Sequence, residues 1–285
     1  MINMNYKTLK DDYEKLIHIM NKHNNEKLIN TQNETFLAPT TLIPLIHHVE
    51  KNNKQIKASN KTHDYILRVL EQKNTNSTTF LNDTNKCLMN LPLTEKNRKR
   101  EESNLNFIKK INNIYGGQWF QTYIVEELTN NIYEHAYNEN IDVGINYAQV
   151  YPQLNMMDLC IYDAGKSIPG SYTEHGTYYE DDCHAIELAL SHNSTAKDSI
   201  PDDPIHQRGN GIRSVIKKVI TENGGEVLLA SRNGYLYINS RREYEYNLGG
   251  VITGTLITLR LKPNRVPQIM DQSELQFSNP YVYKK

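Results

Sequence analysis

The stretch Glu126-Glu127-Leu128-Thr129-Asn130-Asn131-Ile132-Tyr133-Glu134-His135-Ala136 decides how the rest of the chain is read. Glu127, Asn131 and His135 recur every four residues, and in an α-helix that spacing makes them one polar stripe. Ile124, Leu128 and Ile132 form a parallel apolar stripe that can face a core. A carboxylate and a carboxamide one turn apart, beside a buried stripe, can hold a hydrated divalent cation and a water together. Such a pairing belongs to phosphate chemistry.

Size and composition bound what this helix can serve. The 285 residues suit one large or two ordinary domains, and 38% hydrophobic content is enough for real cores. No apolar run approaches the roughly 18 residues of a membrane span, so no membrane partner is expected. The segment Met1 to Lys7 lacks a charged-then-apolar leader pattern, which points to the cytoplasm. Cys87, Cys160 and Cys183 have neither metal-ligand nor disulfide-framework spacing and read as reduced thiols. Residues 1–100 hold 16 Lys/Arg against 10 Asp/Glu, and residues 101–285 hold 16 against 23. The early excess sits in Lys96, Arg98, Lys99 and Arg100, a cluster without interleaved aromatics. That composition reads as a solvated linker and predicts no specific nucleic-acid site.

In chain order, Tyr13 to Met20 reads as a helix, followed by an asparagine-rich stretch. Pro39, Thr40 and Thr41 start a second helix that runs to Val49. Lys54 to Ala58 reads as a short strand and His63 to Leu70 as a helix. Gln72 to Asn90 is thinly apolar. Residues 1–93 thus read as a small α/β domain, and the polar run 94–104 as its linker to a second domain over 105–263. A tail, 264–285, follows. In the second domain, Val143 to Tyr151 and Met156 to Tyr162 read as strands on either side of a turn at Pro152 and Asn155. A helix from Asp182 to His192 comes next, then a polar loop, 193–207, whose length favours a mobile lid. Arg208-Gly209-Asn210-Gly211 opens a helix through Val219 that Gly224-Gly225 ends. Val227 to Ala230, Tyr235 to Ile238 and Ile252 to Leu261 finish as strands. His175, His184, His192 and His206 lack ligand spacing.

Four short motifs stand in a fixed order: Glu127-Leu128-Thr129-Asn130-Asn131 through His135-Ala136, Asp163-Ala164-Gly165, Gly209-Asn210-Gly211-Ile212, and Gly254-Thr255. Together they resemble the N box and the three glycine boxes of the Bergerat-fold, or GHKL, ATPase superfamily. Its ATP-binding domains in anti-sigma-factor kinases and histidine kinases are the nearest in pattern. The likeness spans about residues 118 to 262. It implies a two-layer α/β sandwich, with helices on one face of a mixed, mostly antiparallel sheet, behind the small α/β domain.

The resemblance also implies roles. Glu127 corresponds to the general base that orients the attacking water, and Asn131 to the side chain that binds Mg between the phosphates. Asp163 corresponds to the carboxylate that accepts from the adenine amino group, and Gly165 lets backbone pass close to the base. Gly209, Asn210, Gly211 and Ile212 would bring backbone N–H groups to the phosphates. Thr255 corresponds to the hydroxyl that shares a water with adenine. Arg208 and Lys197 are placed to contact the γ-phosphate. Ser167 departs from the pattern, because many relatives have a second glycine there.

Phe36 to Val49, with Ile56 and the 63–70 helix, resembles the STAS-like domains that accompany anti-sigma-type kinases. Thr40 would then sit near a phosphorylatable hydroxyl, although it serves equally well as a helix cap. The functions implied are Mg-ATP binding with slow hydrolysis in a regulatory switch, Ser/Thr kinase transfer to a protein partner, or nucleotide sensing without turnover. ATP or ADP and Mg would be the ligands, and a protein partner would dock through the first domain. Homodimers are compatible with this reading. Neither His18 nor His23 is followed by the acidic residue expected beside a phosphoacceptor histidine.

Overall fold

The computed structural model describes residues 7–73, 79–80, 86–90, 105–109, 118–132, 144–191 and 211–262. Helix α1 (Leu9–Lys22) starts at a reciprocal cap, in which Thr8 Oγ1 accepts from the Asp11 N–H and the Asp11 carboxylate accepts from the Thr8 N–H. It buries Leu9, Tyr13, Leu16 and Ile19 along one side. Strands β1 (Leu28–Thr31) and β2 (Gln55–Ala58) pair in parallel, Ile29 opposite Ile56. A parallel pair needs a crossover, and helix α2 (Pro39–Lys51) supplies it, with Pro39 in the first turn where its missing N–H costs nothing. Helix α3 (Asn60–Lys73) follows.

The main sheet has six strands: β3 (Thr79–Phe80), β4 (Lys86–Asn90), β5 (Gly144–Tyr151), β6 (Met156–Asp163), β7 (Glu226–Ile238) and β8 (Tyr244–Leu261). Their order is β3-β4-β5-β6-β8-β7, and every neighbouring pair is antiparallel. The parallel pairing expected within one mixed sheet lies instead in the separate two-stranded unit. Between the strands run helices α4 (Gln118–Asn131), α5 (Ile168–Glu174), α6 (Asp182–Leu190) and α7 (Gly211–Lys217), the last continuing as a π-turn over Lys218–Asn223.

Alternation along the strands assigns two faces. Met157, Leu159 and Ile161 of β6 and Ile257 and Leu259 of β8 pack with Ile124 and Leu128 of α4, Ile186 of α6 and Val215 of α7. The intervening Cys160, Tyr162 and Leu256 pack with Tyr13 of α1, Leu42 and Ile46 of α2 and Ile66 of α3. All eight residues of β6 are buried, as a strand covered on both faces requires. Helices on one face alone were expected. The structure has three layers, with the first seventy residues supplying the second helical layer. Residues on either side of the anticipated connection share one core, and β4 pairs with β5 from Lys86 opposite Gln149 to Asn90 opposite Ile145. The connection 94–104 itself and the tail 264–285 lie outside the described residues.

A buried ionic cluster fastens α1 to the sheet. Arg260 on β8 donates from Nε to Asp158 Oδ1 at 2.7 Å and from Nη2 to Asp158 Oδ2 at 2.8 Å, a bidentate pair on β6. The same guanidinium reaches Asp12 of α1 at 3.2 Å and the Lys7 carbonyl, while Glu226 accepts from the Leu9 N–H at 3.1 Å. Asp12, Asp158, Glu226 and Arg260 are all buried, so the cation must stand within reach of all three carboxylates.

Candidate functional site

Helix α4 carries Glu127 and Asn131. Its apolar side, Ile124, Val125, Leu128 and Ile132, is buried on the sheet, which leaves Glu127 and Asn131 half-buried at the edge of that contact. Asn146 of β5 fixes the helix height by donating from Nδ2 to Thr129 Oγ1 at 3.1 Å. Opposite this polar side stands the first turn of α7. A Cβ placed on Gly211 would lie 2.6 Å from Glu127 Oε2 and 3.6 Å from Asn131 Nδ2. Two stretches far apart in sequence therefore meet so closely that any side chain at Gly211 would push the Glu127 carboxylate aside. Asn131 Nδ2 is buried without a hydrogen-bond partner among the described residues, and a buried amide left so is a common mark of a ligand position.

The second group is built at the end of β6. By alternation Asp163 faces the α4 side of the sheet, directly opposite Thr255 of β8. Asp163 Oδ1 accepts from the Gly165 N–H at 2.8 Å. Burial pushes its carboxyl up to about 7, against the lowering effect of donors from the Gly165 backbone and from the Thr255 backbone and hydroxyl. Gly254 is the close-approach point, since a Cβ there would meet the Asp163 carbonyl oxygen at 2.2 Å and the Gly165 nitrogen at 2.6 Å. The Asp163-Ala164-Gly165 turn thus lies on Gly254-Thr255.

Ser167 occupies φ 72°, ψ 161°, a backbone region that is essentially glycine's. Its hydroxyl compensates in part by accepting from the Gly170 N–H at 3.1 Å, which caps α5. The departure from a glycine at this place is one of side chain, and the glycine conformation is kept. Ile212, on α7, is half-buried against the α4-side core and contributes packing there.

Sequence reasoning missed Ser231. This buried residue of β7 accepts from the Ile168 N–H at 3.0 Å, donates to the Gly254 carbonyl at 3.0 Å and lies 3.5 Å from Thr255 Oγ1. A serine inside a strand carries no motif, and only the β7–β8 pairing brings it under the turn. Arg208, Gly209 and Asn210, the Lys197 contact, His135 and the 193–207 loop lie outside the described residues. Thr40 is fully buried in the first turn of α2, so a phosphoryl donor reaches its hydroxyl only if α2 leaves the sheet.

Among the described residues no helix is long and apolar enough to cross a membrane. Compared with known proteins, the chain matches no family model, and neither a curated protein nor a solved structure is significantly similar to it.

Proposed function

We propose that this protein binds Mg-ATP and hydrolyses it slowly as a regulatory switch, using a site of the Bergerat type on the α4 face of its antiparallel sheet. The observation that carries the reading is the meeting of Glu127, Asn131 and Gly211. A carboxylate, a carboxamide whose Nδ2 is buried with no hydrogen-bond partner among the described residues, and a side-chain-free helix start converge where they can serve a triphosphate. Asp163, a buried acceptor held by the Gly165 turn, supplies a base-reading group on the same face.

In this reading Asp163 accepts from the exocyclic amine of adenine, and Gly254, having no side chain, lets the Asp163–Gly165 turn lie close against β8. Glu127 accepts a proton from the attacking water, the work of a general base. The carboxamide of Asn131 is the group that would hold Mg, which when bound neutralises developing phosphate charge. A half-buried carboxylate beside the carboxamide of Asn131 fits a hard, hydrated cation.

The test is calorimetric titration of the full chain with ADP and a non-hydrolysable ATP analogue, with and without Mg, followed by incubation with γ-labelled ATP. Saturable binding and release of free phosphate are expected. Label on a protein acceptor in place of free phosphate would move the assignment to a kinase. Binding without turnover would make the protein a nucleotide sensor, and no binding would end the reading.

A further inference from the structure

We propose that the seating of helix α1 controls the base end of this site, through a bulge in β7. The functional meaning rests on the nucleotide reading above, while the coupling itself rests on geometry alone.

Tyr13 lies on α1, fully buried against the sheet face opposite Asp163. Its ring stands edge-on to Tyr235 at 4.9 Å, and its hydroxyl accepts from the Val251 N–H of β8 at 3.2 Å. A Cβ on the neighbouring Gly250 would be 3.0 Å from that hydroxyl and 2.8 Å from the Arg232 carbonyl oxygen. The helix side chain, β8 and β7 are therefore in direct contact at one point. There the β7–β8 register shifts, between Ser231 and Arg232 and again between Arg232 and Gly234. Arg232 takes a positive φ of 53° to make the shift.

Ser231 is the residue immediately before this irregularity and projects to the opposite face. There it holds the Ile168 N–H, which follows the Asp163–Ser167 turn, and the carbonyl of Gly254, the β8 residue against which that turn lies. A register is a discrete property: a slip of one residue sends every side chain of the slipped segment to the other face. Tyr13 pins the register on one side of the sheet and Ser231 uses it on the other. Unseating α1 frees the bulge to slip, and a slipped Ser231 no longer supports the turn that carries Asp163. This is a two-state element biased from both ends, so by linkage a ligand at the turn must also steady α1.

Amide hydrogen exchange on the full chain tests this, in wild type, Tyr13→Phe and Ser231→Ala. Without nucleotide, Tyr13→Phe is expected to speed exchange at Val251 and also at Ile168 and Gly165, about fivefold for one lost hydrogen bond, with Leu159 and Tyr147 unchanged. Ser231→Ala should act in reverse and speed Val251. Faster exchange confined to Val251 and α1 in the first variant, with Ile168 and Gly165 as in wild type, overturns the coupling. With Mg-ADP, wild type should show slowed exchange across residues 9–22, and bound nucleotide that leaves α1 exchange unaltered also overturns it. Absence of any ADP binding refutes the nucleotide reading instead, and the ligand-free comparison then still decides the coupling.

Discussion

Asp163 sits directly across the β6–β8 ladder from Thr255, which donates to its carboxylate, yet burial still holds that carboxyl up at about 7. The acceptor proposed to read the base is thus poised to change charge near neutrality. A charged acceptor binds an amine N–H more strongly than a neutral one. ADP affinity is therefore expected to rise as pH increases from about 6 to about 8 and then level off, since the proton must leave before the carboxylate acts. Asp163→Asn should bind about 1 to 3 kcal/mol more weakly and lose the pH dependence. Calorimetry over this range checks both. An affinity that falls with rising pH would make the protonated acid the binding form.

Ser167 pays for a glycine conformation without glycine's freedom. Backbone in this region costs on the order of 1 to 3 kcal/mol for a residue with a Cβ, and the lost cap to Gly170 costs only a few tenths when glycine replaces serine at an N-cap. Ser167→Gly is accordingly expected to raise the unfolding free energy by about 1 kcal/mol in urea titration. A less stable variant would mean that the hydroxyl contributes more than the φ of 72° costs.

Much of this architecture was legible because short runs of strand formers between turn residues mark strands whatever covers their faces. Val143 to Tyr151 and Met156 to Tyr162 are short strand-like runs bounded by the turn residues Pro152 and Asn155, and the structure places strands over Gly144–Tyr151 and Met156–Asp163. The second helical layer was not legible, because alternation says which residues point away from a core but not what covers them. The one hint was Met156 to Asp163, where neither parity is polar throughout. Ser231-Arg232-Asn233-Gly234 has turn composition and divides β7 into two readable strands, whereas the chain passes through it as a bulge. Strands β3 and β4 sit in a thinly apolar segment, and helix α5 hides behind Ser167, Pro169 and Gly170. The close backbone approaches at Gly211 and Gly254 fall within motifs picked out by spacing, while the contacts of Ser231 depend wholly on cross-strand pairing.

Arg260 is the buried cation that bridges Asp12, Asp158 and Glu226, so its loss should be severe. Arg260→Met leaves three buried carboxylates without their cation and is expected to cost about 3 to 5 kcal/mol. Asp12 behaves oppositely. Burial first, and Asp158 nearby, raise its carboxyl to about 6 despite Arg260. A carboxyl whose folded pKa lies above its unfolded value holds its proton more tightly when folded. The stability it contributes is present at low pH and is lost as pH rises from about 4 to about 6. Asp12→Asn should remove that decline and raise Tm at pH 7 relative to its effect at pH 4, as calorimetric scans at the two pH values would show.

Gly211 offers the sharpest test of the site, because it separates geometry from chemistry. Gly211→Ala drives a methyl to within 2.6 Å of Glu127 Oε2, and the carboxylate, being the end of a flexible side chain, moves away. The helix itself should gain slightly, since alanine favours it. Stability is therefore expected to hold while the attacking water loses its base, so turnover should fall by roughly a hundredfold. Glu127→Gln should reach a similar rate with Mg-ATP affinity nearly intact, and Asn131→Ala should weaken Mg-ATP binding with little change in metal-free nucleotide binding. Because Gly211→Ala and Glu127→Gln remove one function, the double variant should be no slower than either alone. Additive losses would mean that Gly211 serves the nucleotide directly and not through Glu127.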